Sequence, residues 1–160
     1  ATEPLLRTGR RRVATITGPA DMPVSIDRLA GYRIALDAAG VASAAVEDGD
    51  FSFDGALSAM RRILSRPERP DAVFVQSDLM ARGALAAMAE NRLRAPDDIA
   101  IVGFDDSPLA VSSEPALTTI RQPSFQQGER IAEVLIHLLA GGDAPSTTIL
   151  GTELIVRDSA

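Results

Sequence analysis

The chain has 160 residues and a mass of 16.9 kDa, with 16 basic residues, 22 acidic residues and no Cys. The length suits one domain with a full hydrophobic core, and an apolar content of 46% indicates a soluble globular protein rather than a disordered one. The missing Cys excludes disulfides and thiolate metal sites, and a formal charge of −6 argues against nucleic acid as the partner of the main face.

In the first half of the chain, short apolar runs alternate with helical patterns. The first strand is expected to end at Gly18-Pro19, because these residues interrupt regular structure. Ser25 is then expected to cap a helix that stops at Gly40, since Gly readily adopts the left-handed conformation that follows a helix. The elements expected here are strands at 12–17 and 44–46, and helices that begin at Ser25 and Ser52.

The second half of the chain repeats this alternation. Ser77-Asp78 is expected to cap the third helix, and Ser124 the fourth, which carries the strongest apolar stripe. Strand and helix in alternation with short loops predict an α/β fold: an open parallel sheet with helices on both faces. The strands expected here are at 72–76, 99–103, 117–121 and 153–156.

Polar and aromatic residues follow the predicted strands. In open parallel sheets, ligands bind beyond the carboxyl ends of the strands, where the loops converge. An Arg, an aromatic ring, a Ser, carboxylates and a Gln suit a small, hydroxyl-rich molecule, because carboxylates accept from vicinal hydroxyls, Arg donates and a ring covers an apolar sugar face. The residues concerned are Arg28, Gly49-Asp50-Phe51, Gln76-Ser77-Asp78, Phe104-Asp105-Asp106 and Arg121-Gln122-Pro123.

Sequence motifs of common enzyme classes are missing. The chain has no Gly-rich dinucleotide signature, no phosphate-binding P-loop and no nucleophile elbow. The single His137 lies off the apolar stripe of its helix and has no partner pattern for a metal site. Asp105-Asp106 also fits the acidic pocket of a receiver-like domain, but that pocket needs a Lys, which the chain lacks. We therefore expect no enzyme, no cofactor and no metal.

Seven short motifs occur in an order that one protein family shares. They are GRRRVA (9–14), RLAGY (28–32), GDF (49–51), PDAVF (70–74), SDLMA (77–81), VGFDD (102–106) and LTTIRQP (117–123). Each is weakly specific alone, but together they extend over nearly the whole chain. With them the chain resembles the effector-binding region of LacI/GalR-type transcriptional regulators, whose core is similar to periplasmic sugar-binding proteins.

The resemblance implies ligand-binding roles for five residues. Arg28 matches an effector-clamping arginine, Phe51 an aromatic that stacks on the ligand, and Asp105 a carboxylate that receives hydroxyls or amines. Gln122 matches a contact at the crossover between two lobes, and Ser77 a position that is Asn in several sugar-responsive members. The implied ligand is a sugar or sugar derivative, held between the lobes.

Structural roles remain open for the same residues. Arg28 can pair with Asp27 or Asp37 at the surface, Phe51 can pack under the following helix, and Asp105 can cap the next short helix. A turn or cap role is favoured over ligand contact for three other carboxylates: Asp50, Asp78 and Asp106.

The resemblance also implies a domain organisation. The family's complete chain has a DNA-binding headpiece, a hinge and a two-lobed core, so this chain is expected to lack the headpiece and the first half of the core. Residues 1–121 are expected to form the far lobe, 122–150 to cross into the missing lobe, and 151–160 to return as the final strand.

The apolar stripe of the crossover helix needs a partner surface. Its exposure would cost about 1.5–3 kcal/mol for each large side chain. We expect it to be covered by another copy of the chain, by a separate fragment, or by refolding onto the lobe. The stripe consists of Ile131, Val134, Leu135, Leu138 and Leu139.

The function implied by the resemblance is effector sensing in a cytoplasmic DNA-binding regulator, a repressor whose operator affinity changes when a sugar closes the lobes. The implied partners are the effector, a second copy of the chain, and DNA through the headpiece. The expected dimer surface includes Arg82, Ala86 and residues 109–113. No membrane partner is expected, because no apolar run approaches the length of a bilayer span. The alternative is an extracytoplasmic sugar-binding protein of a transporter.

Overall fold

The computed structural model describes residues 1–145 and 147–160. Within this part of the chain, six strands form one sheet. The strands are β1 (Val13–Thr17), β2 (Ala45–Asp48), β3 (Ala72–Val75), β4 (Ala100–Asp105), β5 (Thr118–Arg121) and β6 (Glu153–Ile155). Their order across the sheet is β2-β1-β3-β4-β5-β6.

The helices of the described residues lie mainly between these strands. None of them is both long and apolar enough to cross a membrane. They are α1 (Thr2–Arg7), α2 (Pro23–Ala38), α3 (Phe53–Leu64), α4 (Asp78–Glu90), α5 (Pro108–Ser112) and α6 (Ser124–Leu139).

Five of the six described strands are parallel, and β6 is the exception. It pairs antiparallel with β5, so that Thr119 lies opposite Ile155 and Arg121 opposite Glu153. The expectation of a parallel sheet is therefore confirmed for β1 to β5 but not for β6. An apolar run carries no signal for strand direction, and β6 reverses because α6 and the segment after it return the chain to the same end of β5.

Both faces of the sheet are covered by helices, as predicted. On one face, α3 and α4 pack on β1, β3 and β4, and the core contains Ile16, Met60 and Met80, all fully buried. On the other face, α1 and α2 pack on the sheet through Leu5 and Tyr32. The apolar stripe predicted for α3 is confirmed, since its members are all buried: Ala56, Ala59, Met60, Ile63 and Leu64.

Two of the four predicted helix caps are confirmed. The Ser52 hydroxyl accepts a hydrogen bond from the backbone N–H of Gly55 at 2.9 Å, at the start of α3. The Ser77 hydroxyl accepts from the N–H of Met80 at 3.2 Å, at the start of α4. In each case a Ser in extended conformation satisfies one of the free N–H groups of the first turn.

The caps predicted at Ser25 and Ser124 are wrong. The helix α2 begins earlier, at Pro23, with Met22 as the N-cap residue, and α6 begins at Ser124 itself, after Pro123. Pro fits the first helical position because its φ is already helical and it has no N–H to satisfy. Pro23 therefore sets the start of α2, with Ser25 inside the helix, whereas Pro123 is itself the N-cap residue of α6 and makes no side-chain cap.

The helix α6 buries none of its described residues. Ile131 is 63% exposed, Leu135 54% and Leu139 80%. Between the stripe and the segment around Leu150 lies a groove of about 510 Å³. The expectation that the stripe refolds onto the lobe is therefore wrong, and the assignment of α6 to a crossover gains no support from burial. Coverage by another copy or a separate fragment stays a prediction.

Gly83 allows α4 to approach α3 closely. A Cβ at this position would overlap the carbonyl oxygen of Phe53 and would lie 3.1 Å from the Leu57 nitrogen. We expect Gly83→Ala to lower the free energy of unfolding by about 1–3 kcal/mol, measured by urea denaturation, because this overpacking outweighs the better helix propensity of Ala. The matched control is Gly31→Ala in α2, where a Cβ meets nothing within 4 Å. Equal stability of the two variants would contradict this packing argument.

Candidate functional site

Three of the five predicted site residues lie in one cluster at the carboxyl ends of the parallel strands, joined by one hydrogen bond and one longer ion pair. Asp105 ends β4, Gln122 follows β5, and Arg28 reaches over from α2. The Gln122 Nε2 donates to Asp105 Oδ1 at 2.6 Å, and Arg28 Nη2 lies 3.9 Å from the same oxygen. A carboxylate has lone pairs for further donors, so Asp105 retains the capacity to accept ligand hydroxyls.

The guanidinium of Arg28 is held between aromatic and carbonyl groups. Its Nη1 donates to the backbone oxygen of Gln76 at 2.6 Å, and its Cζ lies 3.8 Å from the ring centroid of Phe104. The centroid of a second ring, that of Phe51, lies 6.0 Å from the same Cζ atom. The Arg28 side chain is only 14% exposed, and within the described residues Asp105 is its ion-pair partner. The alternative of surface pairing with an Asp of its own helix is therefore wrong.

The surroundings shift the pKa of both charged groups in the cluster. Burial lowers the pKa of the Arg28 guanidinium, and the nearby Asp105 carboxylate opposes that shift. Burial raises the pKa of Asp105 above its usual range, although Arg28 and Gln122 both stabilise the carboxylate. The charge on Asp105 is therefore held against a desolvation cost, and hydroxyl donors from a ligand would stabilise it further.

Asp105 and Asp106 form an unusual turn after β4. Their φ angles are 115° and 55°, in a region that L residues other than Gly adopt rarely. The fully buried Asp78 supports this turn, because its Oδ2 accepts from the Ser107 N–H at 2.8 Å and its Oδ1 from the Thr119 hydroxyl at 2.6 Å. Ser107 is the N-cap residue of α5, so the alternative that Asp105 caps this helix is wrong.

The Asp106 carboxylate, directly after β4, pairs with two arginines, Arg121 at the end of β5 and Arg157 after β6. Its Oδ2 accepts from Arg121 Nε at 2.7 Å, and its Oδ1 from Arg157 Nη2 at 2.6 Å. The pKa of Asp106 is lowered, since the two arginines outweigh burial, which acts in the opposite direction. Asp106 is thus a turn residue with a structural role, as the sequence favoured.

The ring of Phe51 packs against Gly18 and the core. A Cβ on Gly18 would overlap two ring carbons of Phe51 and would lie 2.6 Å from the Ser25 Oγ. Phe51 is partly buried against the core cluster that contains α3 residues, so packing under the following helix is part of its role. The ring centroid also lies 6.0 Å from the Arg28 Cζ, so Phe51 borders the cluster as well as the core.

Ser77 is the predicted site residue that the structure uses most clearly for another purpose. Its side-chain oxygen caps α4, and the residue is only 7% exposed. The cap uses the hydroxyl as an acceptor, so the O–H can still donate. No hydrogen bond within the described residues joins Ser77 to the cluster of Arg28, Asp105 and Gln122.

The sequence interpretation assigned no role to Gln76 or Phe104, although both stand among the strand-end residues. The Phe104 ring stacks against the Arg28 guanidinium. The backbone oxygen of Gln76 accepts a hydrogen bond from the same guanidinium. An amide directly after a fully apolar strand was the available signal for Gln76, and the ring beside the acidic pair was the signal for Phe104. Within the described residues, no group of three His, Asp or Glu side chains could hold a metal ion.

Two surface depressions flank the cluster. Asp105 and Gln122 line one of about 580 Å³, and Arg28 and Phe104 line the other, of about 620 Å³. Both volumes are in the range of small-molecule sites. The fold and this arrangement define the class: an α/β domain with a cluster of polar and aromatic side chains at the carboxyl ends of its strands.

The chain belongs to the periplasmic binding protein-like domain family, whose match covers residues 2–160. Among curated proteins it is similar to the HTH-type transcriptional regulator CelR of Thermobifida fusca, with 43% identity over 162 residues, 99% of this chain and 48% of CelR. The chain spans about half the length of the curated relatives it matches.

Two solved structures of regulators superpose on almost the whole chain. The CelR–cellobiose complex has a TM-score of 0.96 at 43% identity and covers 100% of this chain and 50% of its own. The lac repressor dimer bound to operator and the anti-inducer ONPF has a TM-score of 0.94 at 30% identity. The match covers 98% of this chain and 55% of the repressor chain. These relatives confirm the predicted LacI-type resemblance and fold class, and they are regulators rather than enzymes, as predicted.

Proposed function

We propose that this chain is the effector-sensing part of a DNA-binding transcriptional repressor, and that its effector is a sugar or sugar derivative. The observation that carries this proposal is the cluster of Arg28, Asp105 and Gln122 beside two aromatic rings, at the edge of the sheet where ligands of such folds bind. The similarity to a cellobiose-bound regulator supports the same ligand class.

The chemistry of the cluster favours a neutral, hydroxyl-rich ligand. Asp105 accepts hydrogen bonds from vicinal hydroxyls, Arg28 donates to ring or hydroxyl oxygens, and Phe51 covers an apolar sugar face. Ser77 and Gln122 supply further polar contacts. Since the charges of Arg28 and Asp105 offset each other across 3.9 Å, neither an anionic nor a cationic ligand is favoured by net charge.

Effector binding changes operator affinity by closing two lobes. In this proposal residues 1–121 are the far lobe, residues 122–150 cross into a second lobe that covers the apolar stripe of α6, and residues 151–160 return to the sheet. An effector that contacts both lobes favours the closed arrangement by its differential affinity. The regulator acts in the cytoplasm and contacts DNA through a headpiece outside this chain.

The proposed regulator is a homodimer, as in the lac repressor structure to which the chain is similar. On the far lobe, α4 and α5 carry exposed apolar side chains: Leu79 is 41% exposed and Val111 66%. Apolar residues exposed together on neighbouring elements are typical of interfaces.

A charge placed on this surface tests the dimer. Ala86 lies half-buried on α4, one turn from Arg82. We expect Ala86→Glu to shift the protein towards monomer in sedimentation velocity experiments, because a carboxylate would be desolvated in the interface. Asp54→Glu, in α3, serves as the control. An unchanged sedimentation mass for Ala86→Glu would remove this surface from the proposal.

The function is tested by ligand screening of the protein that contains this chain. Thermal shift against sugars, polyols and nucleobases should show stabilisation by a sugar, beginning with cellobiose, D-glucose and D-ribose. Titration calorimetry then gives the Kd, and an operator-binding assay shows whether the same sugar releases DNA. A nucleobase response without any sugar response would contradict the proposed ligand class. The transporter alternative is not favoured, since the relatives are transcriptional regulators.

A further inference from the structure

The side chain of Gln76 connects the end of β3 to the loop between β1 and α2. Its Oε1 accepts a hydrogen bond from the Gly18 N–H at 3.1 Å, and its Nε2 donates to the Ser25 backbone oxygen at 3.2 Å. Gln76 is fully buried, so both interactions are shielded from water. One amide therefore holds the start of this loop and the first turn of α2, which are far from Gln76 in sequence.

The backbone of Gln76 fixes the next part of the same wall. Its N–H donates to the Ile16 carbonyl at 3.0 Å, which extends the pairing of β3 with β1. Its carbonyl oxygen accepts from Arg28 Nη1 at 2.6 Å. Gln76 is thus anchored to the sheet, while its side chain and its carbonyl contact the segment that carries Arg28.

The groups that Gln76 holds are those on which the proposed ligand contacts depend. The Phe51 ring packs directly against the backbone of Gly18. Ser25 lies one helical turn before Arg28 on α2. The Ser25 hydroxyl is buried and forms no hydrogen bond within the described residues, so the Ser25 side chain does not fix the turn. The Gln76 amide supplies that contact instead.

We propose that Gln76 is a positioning residue for effector binding, which holds Arg28 and the Phe51 ring in their binding geometry before the ligand arrives. This inference rests on the proposed function. Ligand affinity increases when the contact groups are already ordered, because their ordering then costs nothing on binding. Gln76 itself need not touch the ligand.

The test compares Gln76→Met with the unsubstituted protein. Met has a similar length and volume but cannot replace either hydrogen bond. We expect the Kd for the sugar found in the screen, with cellobiose as the first probe, to rise about tenfold or more. Amide hydrogen exchange at Gly18 should accelerate in the ligand-free protein, while exchange at Val73 and Ile101 in the central strands stays slow.

Two further variants keep the test decisive. Gln76→Asn retains the amide but shortens its reach by one methylene, and it should weaken binding even if Gln76→Met fails to fold. Asn91→Leu is the matched control, because it removes an amide hydrogen bond to the Ala87 carbonyl at the far end of α4 and should leave the Kd unchanged. Unchanged affinity in folded Gln76 variants that only melt at a lower temperature would overturn the inference, because such a role is merely structural.

Failure of the proposed function gives a different result. In that case the unsubstituted protein binds no sugar, whereas failure of the Gln76 inference leaves sugar binding intact in the substituted proteins. The exchange rate at Gly18 decides the positional part of the inference independently of any ligand. An unchanged rate in Gln76→Met would show that the amide does not hold the loop.

Discussion

Replacing Asp105 with Asn or Arg28 with Ala is expected to abolish the effector response and to leave the fold intact. Each substitution removes a charged hydrogen-bonding group of the cluster, a loss of about 2 kcal/mol or more, which corresponds to at least about a 30-fold higher Kd. The fold should persist because both side chains lie at the edge of the sheet rather than in its core. Titration calorimetry and circular dichroism measure the two properties separately.

The pH dependence gives a second signature of Asp105. Burial raises its pKa, so the protonated form is favoured more in the folded than in the unfolded protein. Its contribution to the stability of the free protein therefore falls as the pH rises through the raised pKa. Asp105→Asn, which is permanently neutral, should thus be at least as stable as the unsubstituted protein near neutral pH, although it does not bind effector.

Controls distinguish a binding role from a structural one. Asp37→Asn changes an exposed carboxylate further along α2 and should leave the Kd unchanged. Effector affinity of the unsubstituted protein should decrease when the pH falls below the raised pKa of Asp105, because the acceptor becomes protonated. If both Asp105→Asn and Arg28→Ala fail to fold, the residues have the structural role that the sequence left open.

Asp106→Ala is expected to destabilise the protein by about 1–3 kcal/mol, the cost of leaving one member of a partly buried ion pair without its partner. The Asp106 side chain is 8% exposed and that of Arg157 17%, so the arginine would remain desolvated without a counter-charge. Arg157 also donates to the Leu117 carbonyl, which connects the end of the chain to β5. Thermal and urea denaturation measure the loss.

The sign of the pH effect at Asp106 is opposite to that at Asp105. Its pKa is lowered in the folded protein, so its stabilising contribution is present above the ordinary carboxyl pKa, about 4, and is lost as the pH falls through the lowered value. The difference between Asp106→Ala and the unsubstituted protein should therefore shrink in acid. Glu90→Ala is the matched control: Glu90 pairs with Arg61, but the pair is exposed and should contribute much less. Equal losses from the two substitutions would contradict the burial argument.

The regular elements were predictable because they repeat apolar residues at fixed intervals. The one-sided stripe of α3 follows directly from such spacing, the buried strands follow from short continuous apolar runs, and the caps at Ser52 and Ser77 follow from the residue type. The short helix α1 was missed, and the short helix after Asp105 was named without bounds, since six and five residues are too few to show a helical period.

The sequence predicted which residues form the candidate site, but not the long-range hydrogen bonds that hold them in place. The sequence placed Arg28, Asp105 and Gln122 on one rim, because strand ends converge. It could not indicate that Gln76 reaches Gly18 across 58 positions, or that Asp106 reaches Arg157 across 51. Such contacts depend on which strands are neighbours, and the direction of β6 in particular has no counterpart in its sequence.

The backbone at Asp105 limits which side chains the proposed effector site can carry, in evolution or in engineering. At a φ of 115°, Gly, Asn and Asp are the residues with least strain, and others would cost about 1–3 kcal/mol. A longer acid such as Glu is therefore a poor replacement at this rim position, whatever sugar is selected for. Adaptation to a different ligand should instead accumulate at exposed positions such as Met22 and Val24 at the start of α2, whose side chains can change without altering the backbone of the turn.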